Sequence, residues 1–185
     1  VIPRSQVRVG PGPESQPADG QDLLEWFTAR SESVVRSLEN IDASETLWTW
    51  SDRQDAGFYF RRMANEVAVH VCDLQRALSR PVVMDRSLAC DGIDELYIDM
   101  ISNWARRNGR EFPKGSLHLH CTDGEGEWLI VPTDDRVNVS HEHAKGDVAW
   151  KGSAVALILS AWGRSQTGIE IFGDSVISDQ WLNFA

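Results

Sequence analysis

The hydrophobic pattern changes its period once, near residue 113, and this change constrains the fold more than any other feature. Before it, apolar residues recur every three or four positions, which is the spacing of amphipathic helices. After it, Leu117–Cys121 alternates apolar and polar residues, and a period of two is typical of a strand. Helices followed by a small strand-rich part indicate the α+β class, with a domain boundary at residues 109–115.

Three helices are predicted in the N-terminal part. The first begins after a cap at Asp22 or Asp19 and the second covers residues 56–79. The third begins after a cap at Ser87 and ends at Asn108-Gly109. The second helix carries an apolar stripe, composed of Tyr59, Phe60, Met63, Val67, Leu74 and Leu78.

Five strands and two helices are predicted in the C-terminal part. The strands cover residues 117–121, 128–131, 137–139, 147–150 and 169–172. Ser153 caps a helix over residues 154–162, and a short helix starts at Asp174. Residues 1–20 are rich in proline and glycine and predict a linker or arm. The predicted domains are therefore the arm 1–20, a helical bundle 21–112 and an α+β domain 113–185.

Charge and cysteine content exclude several classes of partner. The chain has 18 basic and 28 acidic side chains, a net charge of −10, which disfavours nucleic acid and anionic membrane surfaces. No apolar run approaches the roughly 20 residues of a membrane span. Three widely spaced cysteines without a CxxC motif are typical of a reduced protein. We therefore expect a cytoplasmic protein with neither nucleic acid nor membrane as partner.

Glu66 and His70 are the residues that the helical pattern singles out. Their i, i+4 spacing places a carboxylate and an imidazole one turn apart on the same helix face, beside the apolar stripe. A divalent metal satisfies both groups when they point into a bundle, and Asp73, one turn further, is placed to orient His70. An ordinary surface pair remains the alternative, because zinc takes three or four ligands.

Other candidate residues each have a structural alternative. The pairs His118/His120 and His141/His143 would each share a strand face, as metal ligands or as polar residues over solvent. Arg164 follows a predicted helix. Its positive charge either stabilises the C-terminus of that helix or binds the carboxylate of a ligand.

Eight tryptophans are many for this length, and Trp48, Trp50 and Trp104 either line an aromatic pocket or pack in the core. No dinucleotide fingerprint, Walker loop or GxSxG elbow is present.

Five segments, in order, resemble the mycothiol-dependent maleylpyruvate isomerase family. They are Arg61–Asp73, Leu88–Leu96, Leu117–Trp128, Gly152–Arg164 and Phe172–Asp174. The resemblance covers the chain from Asp22 to its end. It implies a DinB-like four-helix bundle, here lacking its first helix, followed by a small domain similar to sterol-carrier proteins.

The resemblance also implies a site. The family holds a divalent metal, usually zinc, with His, Glu and His, of which Glu66 and His70 correspond to the last two. The first His belongs to the opening helix, which is absent here. Arg164 resembles the arginine that the family places near the substrate. Members commonly have His-Glu where this chain has Asn65-Glu66, and Asn65 lies on a different helix face from Glu66 and His70.

The family chemistry implies an isomerase or thiol S-transferase. The metal would hold the thiolate of mycothiol, which adds to a small electrophilic substrate, and Arg164 would neutralise a substrate carboxylate. With two of three ligands, we expect weak metal binding, no activity, and either homo-oligomers or pairing with a missing N-terminal fragment. The alternatives are a non-catalytic protein that binds a small molecule or lipid, and a regulatory protein, each with a vestigial metal site.

Overall fold

The computed structural model describes residues 16–185, and most of the arm predicted over residues 1–20 lies outside the described residues. The chain forms two compact units, and the boundary between them lies between Arg61 and Arg62. The boundaries 21–112 and 113–185 stay predictions. In the described part of the chain, no helix combines the length and the apolar character needed to cross a bilayer.

Helix α1, Leu23–Glu39, begins where the sequence predicts. The Asp22 carboxylate accepts a hydrogen bond from the Glu25 amide at 2.9 Å, which confirms this residue as the cap. None of the residues of α1 is buried. The loop that follows closes with a bridge between Thr46 and Asp55, and Trp50 packs edge-on against Phe58, with ring centroids 4.9 Å apart.

Helix α2, Ala56–Ala77, buries a different face from the predicted stripe. Val67, Leu74 and Leu78 are exposed, and the buried residues of the helix are instead Ala56, Phe58, Asn65, Val69 and Cys72. Both faces of α2 carry apolar residues, so periodicity alone does not choose between them. The choice is made by tertiary partners.

The predicted third helix is divided into segments. Helix α3, Arg86–Asp94, continues through a π-helical segment, Glu95–Met100, into α4, Ile101–Asn108. Its cap is Asp85 and not Ser87, because the Asp85 carboxylate accepts bonds from the amides of Ser87 and Leu88. Gly109 ends α4 with a left-handed φ of 61°, a conformation that glycine adopts without strain.

The C-terminal part is a mixed five-stranded sheet with two helices, which confirms the α+β class. The strands are β1 (Leu117–Cys121), β2 (Glu127–Pro132), β3 (Val137–Ser140), β4 (Val148–Gly152) and β5 (Ile169–Gly173), in the order β3-β2-β1-β4-β5. Strands β1 and β4 are parallel, and all other pairs are antiparallel. The helices are α5 (Ala154–Ala161), capped by Ser153, and α6 (Ser175–Leu182), capped by Asp174.

One face of the sheet forms the main core. Its inward side chains include Leu117, Leu119 and Trp150, all fully buried, and the Trp150 indole donates to the Ser178 hydroxyl of α6 at 2.9 Å. At Gly92 of α3, an added Cβ would lie 3.3 Å from the Asn65 side chain of α2 and 3.4 Å from Ile158 of α5. The close approach of these helices therefore explains the glycine. The opposite face of the sheet is more open and carries His118 and His120.

Candidate functional site

Helix α2 places an imidazole between two carboxylates. His70 Nε2 lies 3.1 Å from Glu66 Oε1, and His70 Nδ1 lies 3.1 Å from Asp73 Oδ2. The spacings i, i+4 and i, i+3 produce this arrangement because residues so spaced lie on one helix face. Each ring nitrogen has a different carboxylate as its partner. Glu66 and His70 Nε2 can therefore face one ligand while Asp73 holds the other side of the ring.

Arg62 fixes the second oxygen of Glu66. One of its guanidinium nitrogens contacts Glu66 Oε2, and the other donates to Glu95 Oε2 at 2.7 Å. Glu95 lies in the π-helical segment and is buried. The Glu66 carboxylate is thus held by a cation through one oxygen and faces His70 with the other.

Arg164 joins this group from a distant part of the chain. It follows α5, and its Nε lies 3.6 Å from Asp73 Oδ1. The Trp162 ring brings two guanidinium groups together, with Arg164 Cζ 5.6 Å and Arg62 Cζ 5.9 Å from its centroid. The fold therefore places Arg164 next to the residues that the α2 pattern singles out.

We call Glu66, His70, Asp73 and Arg164 the α2 site. Its residues are partly exposed, the His70 side chain at 58% and the Arg164 side chain at 29%. A pocket of about 660 Å³ opens beside it. This pocket is lined by Arg76, which donates to the Arg164 carbonyl at 2.6 Å, and by apolar side chains that include Val82, Met84 and Leu159.

A second polar group lies on the open face of the sheet, and we call it the sheet cluster: His118, His120, Glu127 and His143. His118 Nε2 lies 2.6 Å from Glu127 Oε2, while His120 Nδ1 and His143 Nδ1 lie 2.5 and 3.1 Å from Oε1. Burial raises the pKa of the Glu127 carboxyl, but hydrogen bonds from the three imidazoles outweigh it and hold this pKa below its usual value.

The two HxH pairs behave differently. His118 and His120 share a face of β1, as predicted for a strand. His141 and His143 lie in the loop after β3, outside the predicted and the observed strands, so they share no strand face and diverge. His141 contacts Asp94 at 2.7 Å, while His143 joins the sheet cluster. Sequence reasoning missed Glu127, although a hairpin register that pairs it with His120 would have indicated it.

The tryptophans considered as pocket walls pack against other aromatic residues. Within the first unit, Trp50 contacts Phe58, and the Tyr59 hydroxyl donates to the Trp48 carbonyl at 2.9 Å. Within the second unit, Trp104 packs edge-on against Phe184, with ring centroids 5.9 Å apart. These contacts favour the packing interpretation.

Together, these features define an α+β protein whose second helix carries a Glu–His pair beside an arginine from the strand-rich part. A profile of the mycothiol maleylpyruvate isomerase N-terminal domain matches residues 7–75, a segment that contains Glu66, His70 and Asp73. The match confirms the resemblance seen in the sequence over residues 7–75. None of the curated proteins compared with the chain matches it.

Three solved structures resemble parts of the chain. A UbiJ-SCP2 ubiquinone synthesis protein is 19% identical, with a TM-score of 0.34, over 55% of this chain and 92% of its own. The sterol carrier protein domain 2 of Helicoverpa armigera is 19% identical, with a TM-score of 0.31, over 37% and 63%. The sec-alkylsulfatase Pisa1 from Pseudomonas sp. is 14% identical, with a TM-score of 0.34, over 38% of this chain and only 12% of that enzyme. TM-scores this low say nothing about function.

Proposed function

We propose that the α2 site belongs to a metal-dependent, mycothiol-using isomerase or thiol S-transferase that acts on a small electrophilic substrate. The observation that carries the proposal is the position of Arg164, 3.6 Å from Asp73 and thereby beside His70, although it lies outside the matched segment. A cationic fork beside a Glu–His pair suits a substrate that carries a carboxylate.

The donor set of the α2 site suits a divalent metal such as zinc. Glu66 Oε1 and His70 Nε2 are a carboxylate and an imidazole 3.1 Å apart, both accessible to solvent. A metal held there would supply Lewis acidity that lowers the pKa of a thiol such as that of mycothiol. A metal that is held by only two protein ligands is held weakly, so we expect a third ligand from outside the Glu66–His70 pair.

The remaining residues of the site have supporting roles. With a metal bound at Nε2, His70 would donate its Nδ1 proton to Asp73, which would leave the Nε2 lone pair free for the metal that Glu66 shares. Arg62 neutralises the Glu66 carboxylate from its other oxygen. Arg76, which donates to the Arg164 carbonyl, places positive charge in the wall of the 660 Å³ pocket, whose apolar side chains would cover the rest of a small substrate.

Zinc titration tests the α2 site in a Glu127→Gln/His143→Gln background, which removes two of the four donor residues of the sheet cluster and so weakens competing zinc binding there. We expect weak zinc binding that falls at least tenfold on Glu66→Ala or His70→Gln, because each change removes one of two ligands. Competition with a chromophoric chelator measures the affinity. Mycothiol added to the zinc-loaded protein should then bind, and isothermal titration calorimetry measures this step.

Glu111→Ala is the matched control, because it removes an exposed carboxylate away from both polar groups. It should leave the zinc affinity unchanged. Zinc binding that persists in the Glu66→Ala/His70→Gln double variant would refute the α2 site. Isomerisation of maleylpyruvate with mycothiol by the zinc-loaded protein is the activity assay.

A second candidate function is non-catalytic binding of a small apolar molecule, with the metal site vestigial. A pocket of about 690 Å³, in which Phe112 and Leu129 lie among charged side chains such as Lys145 and Asp147, is the candidate place for such a molecule. Native mass spectrometry of the purified protein distinguishes the two. A co-purifying organic ligand without metal dependence would favour this candidate.

The chain is also proposed to associate with itself, since apolar side chains of α2 are exposed next to the site.

A further inference from the structure

The sheet cluster is built from elements separate from α2. Strand β1 supplies His118 and His120, strand β2 begins with Glu127, and the loop between β3 and β4 supplies His143. The three imidazoles direct ring nitrogens at the two oxygens of one carboxylate. Three imidazole nitrogens and the Glu127 carboxylate therefore form a set of donor atoms that suits a metal cation.

Three of these residues have the composition of a catalytic zinc site. One ligand atom each from His118, Glu127 and His143 lies within 4.8 Å of the other two. Two histidines and one glutamate are an established zinc ligand set, with bonds of about 2.1 Å. A tetrahedral ion with such bonds separates its ligand atoms by about 3.4 Å. In the present geometry His118 Nε2 lies 2.6 Å from Glu127 Oε2 and His143 Nδ1 lies 3.1 Å from Glu127 Oε1, so both imidazoles already lie within about 1 Å of that spacing from an oxygen of the carboxylate.

The framework around the cluster holds these ligands in place. His118 is only 6% exposed, and its backbone is paired on both sides, with β2 and with β4. Gly146 holds the loop close to it, because an added Cβ there would lie 3.0 Å from the His118 amide nitrogen and 3.2 Å from its Cβ. The loop that carries His143 therefore passes directly over His118.

A pocket of about 360 Å³ adjoins two of the three ligands. His118 and His143 line it together with Lys145, Ala149 and Phe172. A small ligand could therefore reach an ion held at this place. Two histidines and one glutamate would fill three of the four tetrahedral positions of a zinc ion. An open fourth position is typical of catalytic zinc sites, whereas structural sites fill all four.

We propose that His118, Glu127 and His143 form a divalent transition-metal site on the open face of the sheet, distinct from the α2 site. Imidazole nitrogen with carboxylate oxygen suits zinc and its neighbours in the first transition row better than calcium or magnesium. This site is independent of the proposed thiol chemistry and of Glu66 and His70.

Zinc binding to the Glu66→Ala variant tests the proposal, because this variant lacks the α2 site. We expect one zinc per chain, and an affinity that falls at least tenfold on Glu127→Gln or on His143→Gln. Competition with a chromophoric chelator measures both quantities. Zinc-edge X-ray absorption should show nitrogen and oxygen neighbours at about 2.0–2.1 Å and no sulfur at about 2.3 Å.

His141→Gln is the matched control, because His141 lies in the same loop but contacts Asp94. It should keep the zinc affinity of the parent. His143 is exposed, so its replacement tests the site even if Glu127→Gln destabilises the fold, and thermal melts report folding of each variant. Absence of zinc from the Glu66→Ala protein, a sulfur neighbour, or equal weakening by His141→Gln and His143→Gln would each overturn the proposal.

Discussion

Burial holds the three thiols of the chain in their neutral form. The pKa values of Cys72 and Cys90 are raised by burial, and burial raises that of Cys121 to about 12. Cys121 is 4% exposed. A buried thiol with a raised pKa is a poor nucleophile near neutral pH, which agrees with the proposal that an external thiol reacts.

Alkylation with iodoacetamide measures the reactivity of each cysteine thiol directly. Because the thiolate is the reactive form, Cys121 in the folded protein should react roughly a thousandfold more slowly at neutral pH than in the unfolded chain. The rate should rise only as the pH approaches 12, since the raised pKa moves thiolate formation upward. Mass spectrometry of tryptic peptides follows each cysteine. Equal rates for Cys121 in folded and guanidinium-unfolded protein would contradict this prediction.

Single residues also differ in how far the sequence predicts their roles. A cap at Asp22 or Asp19 and a helix end at Asn108-Gly109 follow from local chemistry, and the structure has Asp22 as the cap and Gly109 at the helix end. Asp85 was missed as a cap because Ser87, two positions on, is an equally good capping residue type. Glu127 was missed because its importance depends on the hairpin register.

At the scale of elements, α5 depends on its cap. Its side chains are mostly buried against the sheet and α3, and the Ser153 hydroxyl accepts from the Ala156 amide at 3.2 Å. Ser153→Ala leaves that amide without its partner and should lower the free energy of unfolding by about 1 kcal/mol. Urea denaturation measures the change.

Two comparison variants make this result specific. Ser153→Asp keeps an acceptor at the cap and should recover most of the stability. Ser175→Ala, at the first position of α6 where Asp174 is the cap, should change stability by less than about 0.5 kcal/mol. Similar losses for Ser153→Ala and Ser175→Ala would show that capping is not the cause.

At the scale of the whole molecule, apolar residues are exposed in both compact units. Helix α1 exposes Leu23, Leu24 and Phe27, and helix α2 exposes Val67 and Leu74. Exposed apolar surface is a common basis for association between copies. We therefore expect the chain to form dimers or larger species, with light scattering after size exclusion as the measurement.

Charged substitutions identify the surface that is involved. Val67→Lys together with Leu74→Lys should shift the distribution toward monomer. Val176→Lys, at an equally exposed apolar position of α6, is the control and should have no effect. A clean monomer in the unmodified chain would contradict the expectation.

Local and periodic features are readable from the sequence because neighbouring residues alone determine them. The change from helical to alternating period predicted the α+β class, and nearly all strand positions followed from alternation and turns. The i, i+4 spacing is sufficient to place Glu66 beside His70, because helix geometry alone sets that distance.

Features that depend on packing between distant segments appear only in the folded chain. The buried face of α2, the approach of Arg164 to Asp73 and the convergence of three histidines on Glu127 join residues far apart in sequence. Spacing along the chain carries no information about such pairs. They form because burial of the core brings the sheet and helices together, and the polar groups then meet at the positions that this packing leaves open.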